Sequence, residues 1–228
     1  RNIRIIIISS ILLGLVLIIN AVVSGYLLRE NTIKARMHQL GTLTVILTEH
    51  TSQTIFSAKT ALESIEDVVE ISKIKNEDDY RRFATQKNQF DLLREKVTSN
   101  TIIDVATFVG KNGEVLNFSR SFPAPKIDLS ERDYFKWLST HDDPEVFLSL
   151  PVQNKGNGKW VFYLAKRING VKNEFLGVIL VGVSVEVFSR LYERIGINLG
   201  AGSSITLYRN DYHLLTRWPF VDNMIGKL

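Results

Sequence analysis

Cysteine is absent from the chain, which excludes disulfides, thiolate metal sites and cysteine nucleophiles together. Histidine is scarce: His38, His50, His141 and His213 lie far apart, and none has a partner at the HExxH spacing. No GxSxG elbow, P-loop or GxGxxG follows a predicted strand. A strong excess of one charge is also missing. The 28 Lys+Arg against 24 Asp+Glu give +4. Setting aside Arg1 and Arg4, which precede the first apolar run, leaves 26 against 24, or +2. That is not the basic footprint of a nucleic-acid binder. Disorder is excluded too, because 45% of the residues are hydrophobic and only 23% are charged. No catalytic residue, metal ligand or cofactor is therefore expected. His141-Asp142-Asp143-Pro144 is read as a solvated helix end and turn, with proline stopping the helix.

What the chain does have begins with 24 uncharged residues from Ile5 to Leu28. As a helix rising 1.5 Å per residue they span roughly 36 Å, enough for a hydrocarbon core of about 30 Å with some tilt. Tyr26 and Arg29 stand at one end as interface anchors would. A cleaved signal peptide is the competing reading, but its apolar core is usually only about 7 to 15 residues long. The expected order is a cytoplasmic end over 1–4, a transmembrane helix over 5–28, and an extracytoplasmic remainder.

Glycine and proline are missing again between Thr42 and Val109, whereas all five prolines and eleven of the fourteen glycines follow Val109. The first stretch is expected to be helical and the second a turn-rich sheet. Leu40, Leu43, Leu47, Thr51, Thr54, Ala58, Leu62, Ile65 and Val69 make a helical stripe that could face its own sheet or a partner helix. The spacing predicts one helix to about Ser72. A second begins after the cap Asn76 and has Tyr80, Phe83, Lys87, Phe90, Leu93 and Val97 on one face. Strands are predicted at 101–109, 114–118, 145–150, 159–168, 174–184, 204–208 and 213–217. A short helix capped by Ser130 and another helix at 185–195 lie between them. This order is α+β with an antiparallel sheet. Gly156-Asn157-Gly158 reads as a hairpin turn, not a phosphate loop.

The densest stretch is Asp128-Leu129-Ser130-Glu131-Arg132-Asp133-Tyr134-Phe135-Lys136-Trp137. Its arginine suits a bidentate grip on a carboxylate, with aromatic rings walling the site. The alternative is a structural helix whose aromatics are core and whose Arg132 pairs with Asp128 or Asp133.

This stretch resembles the double Cache (PDC-like) extracytoplasmic sensor domains of bacterial signalling proteins. The likeness continues through Phe147-Leu148-Ser149, the 160–167 and 174–179 segments, Phe188-Ser189-Arg190-Leu191-Tyr192 and Arg217-Trp218-Pro219. It implies a long membrane-emergent helix carrying two PAS-like modules, the distal one binding a small ligand. It implies a helical and sensor region over 29–98, a distal Cache module over 99–200, and the start of a membrane-proximal module over 201–228. By position, Arg132, Tyr134 and Phe135 match the pocket arginine and paired aromatics, with Trp137 beside them. Ser149, Tyr163 and Arg167 lie on the sheet segments and are candidates to face the ligand. Two positions depart from the amino-acid-binding pattern. Ile127 replaces a tyrosine, and Gly182 replaces the aspartate that holds an amine, so a small organic acid is the expected ligand.

The resemblance also implies a bacterial inner-membrane location, a homodimer through the long helix, and no nucleic-acid partner. It makes the chain an N-terminal fragment, with an output domain such as a diguanylate cyclase or histidine kinase beyond a second membrane helix. The competing function is a membrane-anchored interaction or assembly protein with a vestigial pocket.

Overall fold

The structure, a computed structural model, describes residues 2–200 and 202–228; of Asn2, Arg4, Ile6 and Ser9 only the backbone is described. The charges at Arg1 and Arg4 that flank the apolar run lie outside the described residues. The chain divides into two compact units, Arg1–Ser52 and Gln53–Leu228.

A single helix, α1 (Asn2–Ile71), carries both the apolar run and the stripe that follows it. Its most apolar 18-residue window has a mean hydropathy of 2.5 and buries none of its residues, so it is long and apolar enough to cross a membrane. From Thr54 onward the stripe is covered by the chain itself: Thr54, Ala58, Leu62, Ile65 and Val69 are all buried. Leu40 is exposed, and Leu43 and Leu47 are half-buried. The chain thus covers the stripe from Thr54 onward and leaves its earlier part uncovered.

After α1 the structure has two helices where the sequence predicted one: α2 (Glu77–Ala84) and α3 (Lys87–Thr98). Asn76 caps α2 as expected, its side chain accepting from the Asp79 N–H at 3.0 Å. The break at Thr85-Gln86 leaves carbonyls without helical partners. Buried Asn117 satisfies one of them, donating to Ala84 O at 2.7 Å, and donates at 2.9 Å to Gln86 O, which also accepts the Phe90 N–H that opens α3. A side chain more than thirty residues away thus binds at the break between the helices, a contact that periodicity could not reveal. Lys87 interrupts no apolar face: it opens α3, pairs with Asp91 at 2.6 Å and lies over the Phe90 ring.

The sheet comprises β1 (Ile103–Gly110), β2 (Val115–Phe118), β3 (Phe147–Leu148), β4 (Val152–Gln153), β5 (Trp160–Asn169) and β6 (Phe175–Ser184). Its order is β2-β1-β6-β5-β3, with β4 also on β5, and all pairs are antiparallel. Every residue of β6 is buried, as a central strand covered on both faces requires. One face packs on helices: Phe108 meets Tyr80 and Phe83 edge-on, and Phe162 meets Phe188. Lys166 ties this face to α1 through Glu66 at 2.8 Å. The other face carries Val105, Val109, Val161, Tyr163, Ala165, Val178 and Leu180 beneath helix α4 (Asp133–Thr140). Helix α5 (Val185–Gly196) follows β6, capped by Ser184. The hairpin β7 (Ile205–Tyr208) and β8 (Leu214–Trp218) then forms a sheet of its own.

Candidate functional site

The site is built around the entry to α4. Gly113, at φ +88°, lets the β1–β2 turn press against the backbone of Ser130, where a Cβ would stand 2.6 Å from Ser130 N. Leu129 N then donates to Gly113 O at 2.8 Å, which fixes the 128–132 segment. Ser130 does not cap the helix as expected. Asp128 takes the Ser130 N–H at 2.8 Å in a local turn that competes with a cap, and Arg132 occupies the N-cap position without a side-chain bond. That Ser130 N–H also holds the Asp128 carboxyl below its ordinary pKa.

Among the described residues, Arg132 pairs with neither Asp128 nor Asp133. Its Nη2 donates to Gln153 O at 3.0 Å, and its Nε is buried with no protein acceptor. The next turn of α4 places Tyr134 and Phe135 inward. Tyr134 has no exposed surface, its ring lies 5.4 Å from that of Tyr163, and its hydroxyl has no protein partner. Burial pushes the Tyr134 hydroxyl well above its ordinary pKa, and the neighbouring Tyr163 adds to this. Tyr163 is pushed up to about 12, again by burial, with Arg132 acting in the opposite direction. Both phenols are therefore neutral donors at physiological pH.

Three residues that sequence reasoning missed complete the surroundings. Asp104 sits at a β-bulge in β1, between Ile103 and Val105 in the register with β6. Arg120 forms an ion pair with its carboxylate, and Asn154 donates to the same oxygen at 3.3 Å. Arg120 keeps one buried nitrogen, Nη1, without an acceptor. The loop 154–158 closes on this cluster. Asn154 Oδ1 accepts from Gly156 N at 2.7 Å, and Lys155 Nζ donates to Asp128 O at 2.5 Å. These contacts bear out the turn reading of Gly156-Asn157-Gly158. No motif spacing marks Asp104, Arg120 or Asn154; the fold gathers them around the Asp104 carboxylate, within electrostatic reach of Tyr163.

The remaining expected residues have other company. Phe135 packs edge-on against Phe175 under the helix. Ser149 is fully buried beside Tyr163, but its hydroxyl is already used: it accepts from Tyr163 N and donates to Leu150 O, both at 2.7 Å. Trp137 lies on the outer face of α4, 43% exposed and stacked on His141 at 3.8 Å. Arg167 clamps the far end of α4 by donating to Leu138 O, and its guanidinium covers the Phe175 ring. The structure thus joins Arg132, Tyr134 and Tyr163, with Phe135 and Ser149 in support, and sets Trp137 and Arg167 apart.

Gly182 has a physical reason to carry no side chain. It pairs across the sheet with both Val105 and Tyr163. A Cβ there would lie 2.7 Å from Val105 Cγ1 and 2.9 Å from Tyr163 Cε1. The Tyr163 ring occupies the space that a longer side chain would need.

The fold is similar to the extracellular domain of a putative histidine kinase, with a TM-score of 0.64 and 26% identity over 82% of this chain and 71% of that one. Looser likenesses join it to an extracellular ligand-binding receptor from Desulfohalobium retbaense (TM-score 0.48, 15% identity, 77% of this chain and 32% of that one) and to the sensor domain of the V. cholerae histidine kinase DctB (0.45, 15%, 76% and 67%). No protein-family model and no curated protein matches the sequence. The fold is that of the Cache, or PDC-like, extracellular sensor domains.

Proposed function

From this sensor fold we propose that the chain is the membrane-anchored, extracytoplasmic part of a bacterial receptor that binds a small organic acid and signals to a cytoplasmic output such as a histidine kinase or diguanylate cyclase. The observation that carries the reading is the set of buried donors around α4. Arg132 Nε, Arg120 Nη1 and the Tyr134 hydroxyl have no protein acceptor. Leaving a buried donor unpaired costs about 1–3 kcal/mol, more when it is charged. A ligand carboxylate supplies the acceptors these groups lack, and guanidinium accepts it in a bidentate fork. Tyr163 and Ser149 shape the floor of this site. Trp137 and Arg167 serve it by holding α4 at its outer face and far end.

The test is thermal melting of the full chain in nanodiscs with succinate, malate and citrate. At least one acid raises Tm, since a ligand binding only the folded state at 100 times its Kd stabilises it by about 2.7 kcal/mol. Arg132→Ala removes that rise. An equal rise in the variant would contradict the reading. An assembly protein with a vestigial pocket draws support from the close packing of Tyr163 over Gly182; it predicts no rise with any of the three.

Pairing of two copies uses the part of the α1 stripe that the chain leaves uncovered, Leu40, Leu43 and Leu47. In a chain without native cysteine, single cysteines at these positions crosslink efficiently. Those at Ala58, Leu62 and Ile65, buried against the sheet, do not. Uniform crosslinking along the stripe would rule this arrangement out.

A further inference from the structure

The hairpin β7–β8 reaches back to the entry of α4 by two routes. Arg209, at its turn, donates through Nη1 to Leu148 O at 2.7 Å and lies 3.8 Å from Asp133 Oδ2. The rest of its guanidinium is held by Asp211, at 2.9 Å from Nε. Asp133 follows Arg132 in the chain, and the same Oδ2 accepts the Leu150 N–H at 2.8 Å. One carboxylate, on the first residue of α4, therefore meets the β3–β4 connection and the hairpin. Its other oxygen, Oδ1, is buried without a partner, so the Arg209 charge compensates a carboxylate that is only half satisfied.

The second route runs through β4. Gln153, whose carbonyl holds Arg132, pairs with Trp160 across the β4–β5 ladder. The Trp160 indole N–H donates to Asp222, just past β8, at 2.5 Å. The hairpin also closes on the tail of the chain, with Leu214 N donating to Lys227 O and Gly226 N to Leu214 O, both at 2.8 Å. It is seated on α5 where Gly196 leaves room for the Trp218 ring. Both routes end beside Arg132: one on its chain neighbour Asp133, the other on Gln153, whose carbonyl accepts from it.

We propose that Arg209 and Asp222 couple the hairpin to Arg132, so that drawing Arg132 off the Gln153 carbonyl loosens β4 and the α4 entry and is read by the hairpin through Asp133–Arg209 and Trp160–Asp222. Arg209 is a positioning residue in this scheme and touches no ligand. The inference rests on the proposed site only for what moves Arg132; the coupling itself needs no ligand. Linkage makes it reciprocal: a change at the hairpin alters the α4 entry as much as the reverse.

Hydrogen exchange of the full chain in nanodiscs tests it without any added ligand. Arg209→Gln speeds exchange at Leu150 and Lys136, the amides held by Asp133 Oδ2 and Arg132 O, by about fivefold or more. Arg132→Met does the same at Arg209 and Leu214 in the hairpin. Val181 in β6 keeps its wild-type rate in both. The double variant is less than additive, because both substitutions cut one linkage. If each substitution speeds only its own element, the coupling is wrong, and the carboxylate titration stands untouched. If Arg209→Gln speeds Val181 as well, the fold has been lost, and Arg209→Lys decides. Lysine keeps the charge near Asp133 but cannot hold Leu148 O and Asp211 at once. Faster exchange at Leu150 with Val181 unchanged supports the coupling, and wild-type exchange at Leu150 overturns it.

Discussion

The two faces of the central sheet are both buried, but they are differently satisfied. The helix-packed face is filled by Phe108, Phe162, Leu164, Ile179 and Val181, with Lys166 neutralised by Glu66, and its unpaired buried group, Gln89 Oε1 on α3, is an acceptor. The α4 face has a comparable apolar floor, yet at its edge Arg120, Arg132 and Tyr134 bury donors that no protein group accepts. A face that only holds a fold together has no reason to keep such groups, since each lowers stability. This difference is what singles out the α4 face as the candidate binding face.

The comparison is broken most severely by Phe162→Ala. It removes a fully buried ring packed 5.8 Å from Phe188 and costs about 3–5 kcal/mol in chemical denaturation. Tyr134→Phe on the opposite face keeps the ring and deletes a hydroxyl without a partner. Stability then stays unchanged or rises by up to about 1 kcal/mol, while carboxylate binding weakens. A loss from Tyr134→Phe as large as that from Phe162→Ala would mean the two faces are equivalent.

How much of this was legible beforehand follows from the range of each signal. The apolar run, the α1 stripe, the Asn76 cap and the strands flanking the Asn-Gly turn are local patterns, and all are found. Periodicity could not show that Asn117 binds at the break between α2 and α3 or that Asp128 takes the turn expected to cap α4, because partner choice decides both. The two-residue strand β4 is too short to leave a pattern. In the candidate site, Arg132 and Tyr134 stand out within one dense segment. Asp104 and Arg120 do not, because a bulge in β1 and an ion pair between distant segments bring them there.

A further expected effect is a titration. In the folded chain Tyr163 is raised to about 12 and Tyr134 is raised as well, both chiefly by burial, against about 10 for an exposed tyrosine. A raised folded pKa means this contribution to stability is complete below about pH 10 and is lost as pH climbs from there through about 12. Denaturant midpoints therefore fall over that window. In Tyr163→Phe the decline across it is shallower. A decline of the same slope would show that Tyr163 does not contribute.

The most direct test of the central claim is to observe the arginine Nε–H resonances of the full chain in nanodiscs by NMR, identifying Arg132 and Arg120 by single lysine substitutions. On addition of succinate, malate or citrate, the account predicts that the Arg132 and Arg120 signals shift together and exchange more slowly with water, while the Arg190 signal, already paired with Glu186, stays in place. Signals from Arg132 and Arg120 that do not move with any of the three acids would contradict it.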